Sequence, residues 1–381
     1  MKRIIGVLAI GLVSFGFISL RNHTTTDTYY SISELKALYG SGNKALWPKP
    51  TLDSTITNFE DLGVLPQVVF PEDNHFSEAK RELGKVLFFD PRLSASGQIS
   101  CASCHDPELG WGDGRKVAHG HDRATGQRNS KPIINSAYAK VLFWDGRATS
   151  LEDQARFPIV DEKEMNHSIK TVVKQLKKIK GYRKLFADAF GSEEINIDKV
   201  TKAIATFERT VVSRKSRFDK FILGDTTQLS NQEVLGLHLF RTKARCINCH
   251  NSSYFSDNQF HNAGLTYYKR EYEDLGLYRI TKKPEDVGKF RTPTLREIMK
   301  TGPYMHNGLF PEMRGVLNMY NAGMPNLKPK ESDKKDNLFP VTSPILQKLN
   351  LTTTELDALE AFLGSITSVI YREPAPKELP K

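Results

Sequence analysis

The chain contains four cysteines, and all four fall in two copies of one motif, Cys101-Ala-Ser-Cys104-His105 and Cys246-Ile-Asn-Cys249-His250. In C-x-x-C-H each thiol can add to one vinyl group of a haem, and the adjacent histidine becomes the proximal iron ligand. The two-residue gap lets both sulfurs reach one porphyrin edge while the imidazole turns to its face. A structural zinc site needs four ligands at its own characteristic spacings. Pairing two motifs 145 residues apart would leave both histidines without a role. A thioredoxin-like pair needs a surrounding βαβ pattern, which the flanking sequence lacks. Two disulfides are the ordinary expectation for an exported chain with four cysteines, but here no cysteine lies outside the motifs. The spacing therefore predicts two covalently bound haem c groups, with His105 and His250 as iron ligands.

Helical elements must position these motifs. Leu83, Val86 and Leu87 share one face before Asp90-Pro91 closes the segment. Ile169, Val172, Val173 and Leu176 mark a second helix, and Val200, Ile204, Phe207 and Val211 a third. Ser230-x-x-Glu233 reads as a capping box ahead of Val234, Leu235, Leu239 and Phe240, just before the second motif. Thr352-x-x-Glu355 opens a closing helix with Leu356, Leu359, Phe362 and Leu363. Strand-like alternation is scarce, so an all-α protein with two haem-bearing domains is expected. The divisions are 1–20 as a leader, 21–70 as an irregular extension, 71–225 as the first haem domain and 226–381 as the second. The second boundary follows Gly224-Asp225-Thr226-Thr227, where small and polar residues interrupt the helical pattern.

The 381 residues exceed one ordinary domain. Hydrophobic residues at 39% and charged residues at 26% exclude a disordered or membrane-embedded body. Lys2 and Arg3 precede the uncharged apolar stretch Ile4 to Leu20, the layout of a secretory signal. Its 17 residues also reach the low edge of a membrane span, so an uncleaved anchor is the alternative. Export to the periplasm follows from either. Cleavage near Leu20 would leave 52 basic against 44 acidic side chains. The lysines are scattered and an exported protein rarely meets DNA, so no nucleic-acid partner is expected; a patch that steers an acidic redox partner is a lesser reading.

The sequence resembles the bacterial di-haem cytochrome c peroxidases and their MauG-type relatives, from about Leu83 to Leu363. The resemblance rests on residues 83–90 (LGKVLFFD), the first haem motif, Arg128-Asn129-Ser130, Phe143-Trp144-Asp145-Gly146-Arg147, residues 291–296 (RTPTLR) and residues 301–308 (TGPYMHNG). It implies two cytochrome c-like domains, with hydrogen peroxide reacting at the amino-terminal haem. The carboxy-terminal haem then receives electrons from a small donor protein, a cytochrome c or a cupredoxin. His105 is implied as proximal ligand of the peroxidatic haem and His121 as the distal histidine that blocks its iron in many resting members. The glycine in Ala118-His119-Gly120-His121 would let that segment move; His119 is the alternative ligand, and two solvated loop histidines the plain reading. Glu164 occupies the position of the acid-base residue, with Gln154 beside it and Pro158 and Met165 nearby; without the resemblance it reads as a solvated charge in Asp161-Glu162-Lys163-Glu164. Trp144 corresponds to the aromatic residue between the haems. Asn129, through its side chain, and Thr301 and Pro303, through their carbonyls, match a calcium site, and all-oxygen ligation suits that ion. His261 and His306 are expected to serve haem-edge hydrogen bonds. A homodimer is compatible with the resemblance.

The sequence departs from the peroxidases at one ligand. The methionine that binds their second haem lies 14 residues beyond the histidine equivalent to His306, and here that residue is Tyr320, as in MauG-type proteins. Met319 is adjacent, but consecutive helical residues point about 100° apart, so only one can face the iron. A phenolate favours oxidised iron where a thioether favours reduced iron. Peroxide reduction is therefore the leading expectation, a MauG-type oxidase of protein side chains the second, and a non-enzymatic di-haem electron carrier the third.

Overall fold

A computed structural model describes residues 30–369 and 372–381. The leader expected over residues 1–20 lies outside the described residues. Twelve α-helices are present among them: α1 Ile32–Tyr39, α2 Glu78–Phe89, α3 Leu151–Gln154, α4 Arg156–Val160, α5 Ile169–Lys178, α6 Lys180–Phe190, α7 Ile197–Thr210, α8 Arg217–Ile222, α9 Asn231–Arg241, α10 Tyr278–Thr281, α11 Met313–Asn321 and α12 Thr353–Ser365. One antiparallel pair of two-residue strands, Phe260–His261 with Phe290–Arg291, is the only sheet among the described residues. The helical class expected from the sequence holds, and no described helix is long and apolar enough to cross a membrane.

The three helices read from apolar spacing are α2, α5 and α7, each with a side-chain N-cap, from Ser77, Ser168 and Asn196. Both predicted capping boxes form. Ser230 Oγ accepts from the Glu233 amide at 3.3 Å while Glu233 returns a carboxylate to the Ser230 amide at 2.8 Å. Thr352 and Glu355 repeat this at 3.3 and 2.8 Å. Each reciprocal pair satisfies two backbone donors that a helix start leaves free.

Two helix crossings organise the chain. Where α2 meets α7, a Cβ on Gly84 would lie 1.9 Å from the Ala203 carbonyl oxygen and 2.9 Å from Phe207 Cβ. Where α9 meets α12, a Cβ on Gly236 would lie 1.9 Å from the Ala358 carbonyl oxygen and 2.7 Å from Phe362 Cβ. Glycine is required at both because the backbones touch. The aromatic packing repeats as well: Phe88 rests 5.2 Å from Phe207 and 6.1 Å from Trp111, and Phe240 rests 5.3 Å from Phe362 and 6.0 Å from Phe255. Leu83-Gly84-x-x-Leu87-Phe88 and Leu235-Gly236-x-x-Leu239-Phe240 are thus one unit built twice.

Residues 32–381 form one compact unit in which the two crossings are tied together. Helix α8, which precedes the expected boundary at 225/226, sends Phe218 into the second aromatic cluster, 5.5 Å from Phe255 and 5.7 Å from Phe362. The chain end returns to the first crossing, where Glu373 pairs with Arg81 and Lys85 at 2.8 and 2.7 Å. The extension expected to be irregular carries helix α1. Its physical cause is local burial: Leu35 and Tyr39, one turn apart, pack against α9, and Tyr39 Oη lies 3.0 Å from His238 Nδ1. The rest of the extension is held by the second motif's surroundings, with Arg241 donating to the Pro48 carbonyl at 2.6 Å and to the Asp61 carboxylate. Asn248 Oδ1 accepts from the Asp53 amide at 2.6 Å.

Candidate haem sites

Both C-x-x-C-H segments fold into the same 3₁₀ turn. The amides of Cys104 and His105 donate to the Cys101 carbonyl at 3.2 and 3.1 Å, and those of Cys249 and His250 donate to the Cys246 carbonyl at 3.2 and 2.9 Å. The tight turn gathers two sulfurs and one imidazole on one wall of a cavity: Cys101, Cys104 and His105 line the first, and Cys246, Cys249 and His250 line the second. All four thiols are free of disulfides. Burial pushes Cys104 and Cys246 up to about 12, so these thiols are protonated.

Each imidazole is oriented by a backbone carbonyl. His105 Nδ1 lies 3.3 Å from the Trp111 oxygen and His250 Nδ1 lies 3.1 Å from the Phe255 oxygen. With Nδ1 engaged in this way, Nε2 is the nitrogen left to bind iron. Burial lowers both histidine pKa values, which favours the neutral ring that ligates metals. The residues that supply the carbonyls, Trp111 and Phe255, are members of the two aromatic clusters, so the helix crossings set the ligand geometry.

The charges around the second cavity call for an anionic guest. Lys131 Nζ and Arg291 Nε are buried on its wall with no hydrogen-bond partner among the described residues. Burial, reinforced by the Arg291 and Arg128 charges, holds the Lys131 pKa well below the ordinary lysine range. Buried cations are normally paired, and the propionates of a haem would pair these. Free thiols, oriented imidazoles and orphaned cations together fit haem c in both cavities.

In the first cavity the structure brings Trp144, Gln154, Pro158, Glu164 and Met165 to the wall that also carries Cys101 and His105. Glu164 is half-buried, and among the described residues its carboxylate accepts no hydrogen bond. Burial, then the Asp161 charge, raises its pKa to about 6 against the opposing Arg147 guanidinium. His121 is not on that wall, although Ala118 and Gly120 are. Its Nε2 lies 3.3 Å from Asp122 Oδ2 and its amide donates to the Glu164 carbonyl at 2.8 Å. A Cβ on Gly120 would fall 2.2 Å from the Lys163 oxygen, so the histidine loop is packed directly on the Glu164 segment. His119 is exposed.

In the second cavity Met313, Val316, Leu317 and Tyr320 of α11 form one lining stripe at helical spacing, and Met319 is not part of it. Burial raises the Tyr320 pKa. Asn129, Thr301 and Pro303 line this cavity too. Asn129 Nδ2 donates to the Arg115 carbonyl at 2.9 Å, and its Oδ1 takes no donor among the described residues. His306 stacks on Phe290 with ring centroids 3.7 Å apart, and its Nε2 has no hydrogen-bond partner among the described residues. His261 Nε2 lies 2.8 Å from Asp257 Oδ2. Asn129, Lys131, Pro132, Trp144, Tyr254 and Arg291 line both cavities, and Trp144 is held by an Nε1 bond to the Asn129 carbonyl at 2.9 Å.

Sequence reasoning did not find Lys131, Arg291, Tyr254 or Glu208 as site residues. Glu208 had a readable signal: it follows Ile204 by one turn on the apolar face of α7, where a carboxylate is out of place. Lys131 and Arg291 carried none, because they come together only through the fold.

Two cavities, each walled by a C-x-x-C-H turn with an oriented histidine and joined by shared residues, define a two-haem c-type cytochrome. The sequence profile of the di-haem cytochrome c peroxidase family matches residues 78–227. The methylamine utilization protein MauG of Methylorubrum extorquens is 40% identical over 317 residues, 82% of this chain and 84% of that protein. Cytochrome-c peroxidase IdrP1 of Denitromonas iodatirespirans is 38% identical over 352 residues, 85% of this chain and 90% of that protein. The solved structure of a MauG-like protein associated with microbial copper homeostasis superimposes with a TM-score of 0.72 at 32% identity, covering 84% of this chain and 96% of that one. The chain belongs to the di-haem cytochrome c peroxidase family.

Proposed function

We propose that the protein is an exported peroxidase that reduces hydrogen peroxide to two molecules of water, taking two electrons from a small redox protein and two protons from solvent. The observation that carries this reading is Glu164, a carboxyl with its pKa raised to about 6, on the same cavity wall as Cys101, His105 and Gln154. A group poised near the working pH can both take a proton from bound peroxide and return it to the departing oxygen. Haem iron, when bound by His105, supplies the redox chemistry. Gln154 offers an amide to orient peroxide, and Trp144 fills the space between the two cavities.

The second cavity serves as electron entry in this reading, with His250 and Tyr320 as the residues that would hold its haem. Asn129 Oδ1 with the Thr301 and Pro303 carbonyls would hold calcium between the two halves, a donor set that suits a hard cation. His121 would act from its loop as the movable distal group. The apolar stretch Ile4 to Leu20 would direct export to the periplasm. Tyr320 on the cavity stripe favours one second reading, a MauG-type oxidase of protein side chains, because a phenolate favours the oxidised haem.

The test is peroxide consumption by the holoprotein with a reduced small cytochrome c or cupredoxin. Donor oxidation at two equivalents per peroxide supports the peroxidase. Peroxide consumption that leaves the donor reduced while a partner protein becomes oxidised would favour the second reading.

A further inference from the structure

Glu208 is a buried carboxyl of the first cavity for which the proposed mechanism has no use. It lies on α7 one turn after Ile204, and both residues line the cavity that holds Cys101. Glu208 is 4% exposed, and among the described residues its Oε2 has no hydrogen-bond partner. The cation next to it, Arg209, is committed elsewhere, with both its terminal nitrogens on Glu152, at 2.6 and 2.8 Å. Helix α2 faces α7 with Leu83, Gly84, Leu87 and Phe88, none of which can pair with a carboxylate. Ser136, on the turn packed against α7, contributes the other unpartnered buried oxygen of this wall. Glu164 and Arg147 face the same cavity from the α3–α5 side.

A carboxylate without a cation is costly in such a place, so Glu208 holds a proton more readily than a surface glutamate. Burial lifts its pKa to about 8, with the Arg209 charge lowering and the Glu152 charge raising it. The thiol of Cys101, whose own pKa Glu208 raises, becomes an uncharged thioether once haem is attached. Above pH 7, where Glu164 is already ionised, the variable charge facing Glu208 is then the electron count of the haem. An added electron makes the cavity more negative, which stabilises the protonated carboxyl; electron loss reverses this.

We propose that Glu208 is a redox-linked proton carrier, taking up one proton from solvent when the haem held by His105 gains one electron and releasing it when that electron leaves. The role is distinct from that of Glu164, which handles the protons of peroxide itself. It rests on His105 binding a haem and not on peroxide turnover, so a protein inactive toward peroxide still tests it.

The experiment is a spectroelectrochemical titration of the holoprotein with chemical mediators across neutral and mildly alkaline pH. In the wild type the reduction constant of the first haem should fall about tenfold per pH unit where one proton accompanies one electron. Glu208→Gln should make that constant independent of pH over the same range, while Glu208→Asp and Glu164→Gln should keep the slope. The second haem, whose cavity Glu208 does not line, is the internal control. A flat wild-type response, an undiminished slope in Glu208→Gln, or a slope lost only in Glu164→Gln overturns the proposal. If Glu208→Gln fails to load haem, reduced-minus-oxidised infrared spectra decide: a protonated-carboxyl band that appears on reduction of the wild type and shifts in Glu208→Asp supports it, and no such band refutes it.

Discussion

Replacing Glu164 by glutamine should make the protein more stable and less active at once. The side chains have nearly the same shape, so the exchange removes the titrating oxygen and little else. A pKa of about 6 against an ordinary 4.5 means that burial and Asp161 disfavour the carboxylate by at most about 2 kcal/mol. The sign follows from proton binding. Between pH 4.5 and about 6 the folded state holds more protons than the unfolded chain, so stability falls as pH rises through that window. At pH 7 the wild type bears the full cost, and the neutral amide of Glu164→Gln removes most of it. Catalysis moves oppositely: loss of a positioned proton acceptor should slow peroxide turnover roughly 10²- to 10⁴-fold, about 3–5 kcal/mol of barrier. Wild-type turnover should rise with pH around 6 as the carboxylate forms, and that limb should vanish in the variant. Thermal unfolding and steady-state turnover across this range measure both. Unaltered turnover in Glu164→Gln, or a persisting limb near pH 6, would refute the assignment and return Glu164 to a solvated charge.

Three further outcomes are expected. Haem stain should survive denaturing electrophoresis, and Cys101→Ala/Cys104→Ala and Cys246→Ala/Cys249→Ala should each remove one haem equivalent; colour lost on acid-acetone extraction would contradict covalent attachment. Tyr320→Phe should change the spectrum of the second haem and Tyr320→Met should raise its potential, while Met319→Leu leaves both unchanged; the reverse pattern would make Met319 the ligand. Gly236→Ala should cost about 1–3 kcal/mol or more, because its Cβ would meet the immovable Ala358 carbonyl at 1.9 Å, whereas Gly364→Ala, with open space around it, should be neutral or stabilising in a melting experiment.

What the sequence disclosed, and what it withheld, follows from the range of the forces involved. The haem motifs, the caps and helices α2, α5 and α7 depend on residues within a turn or two of one another, so spacing alone reveals them. The duplicated crossing is written in very few positions, a glycine and a phenylalanine on one helix and an alanine and a phenylalanine on its partner, separated by more than a hundred residues. No local pattern connects Gly84 with Ala203 or Gly236 with Ala358. Helix α1 has only two buried side chains in eight residues and owes its form to α9. The loop after His121 runs through left-handed backbone at Asp122 and Arg123, φ 50° and 61°, a conformation that an aspartate tolerates and an arginine rarely adopts, and no local pattern in the sequence announces it. Tyr320 was singled out by the family resemblance, which puts the second haem's other ligand 14 residues beyond the equivalent of His306; helical period added only that Met319 could not share its face.

The same reasoning explains how the two cavities are joined. Each crossing by itself fixes one motif and one imidazole, yet neither supplies the cations its cavity needs. Those come from the segment between the crossings: Lys131 lies 3.7 Å over the Trp144 ring, and Arg128 spans from Asp145 at 2.5 Å to Asp274 at 2.6 Å. Asp145 belongs to the first half and Asp274 to the second, so this one guanidinium registers the halves against each other. Arg291 pairs through its backbone with the Trp144 carbonyl at 2.9 Å. The tryptophan between the cavities is thus held on its ring nitrogen, its face and its carbonyl by residues from both halves. Lys131, Trp144 and Arg291 belong to both walls, so a substitution at any of them alters the lining of both cavities at once.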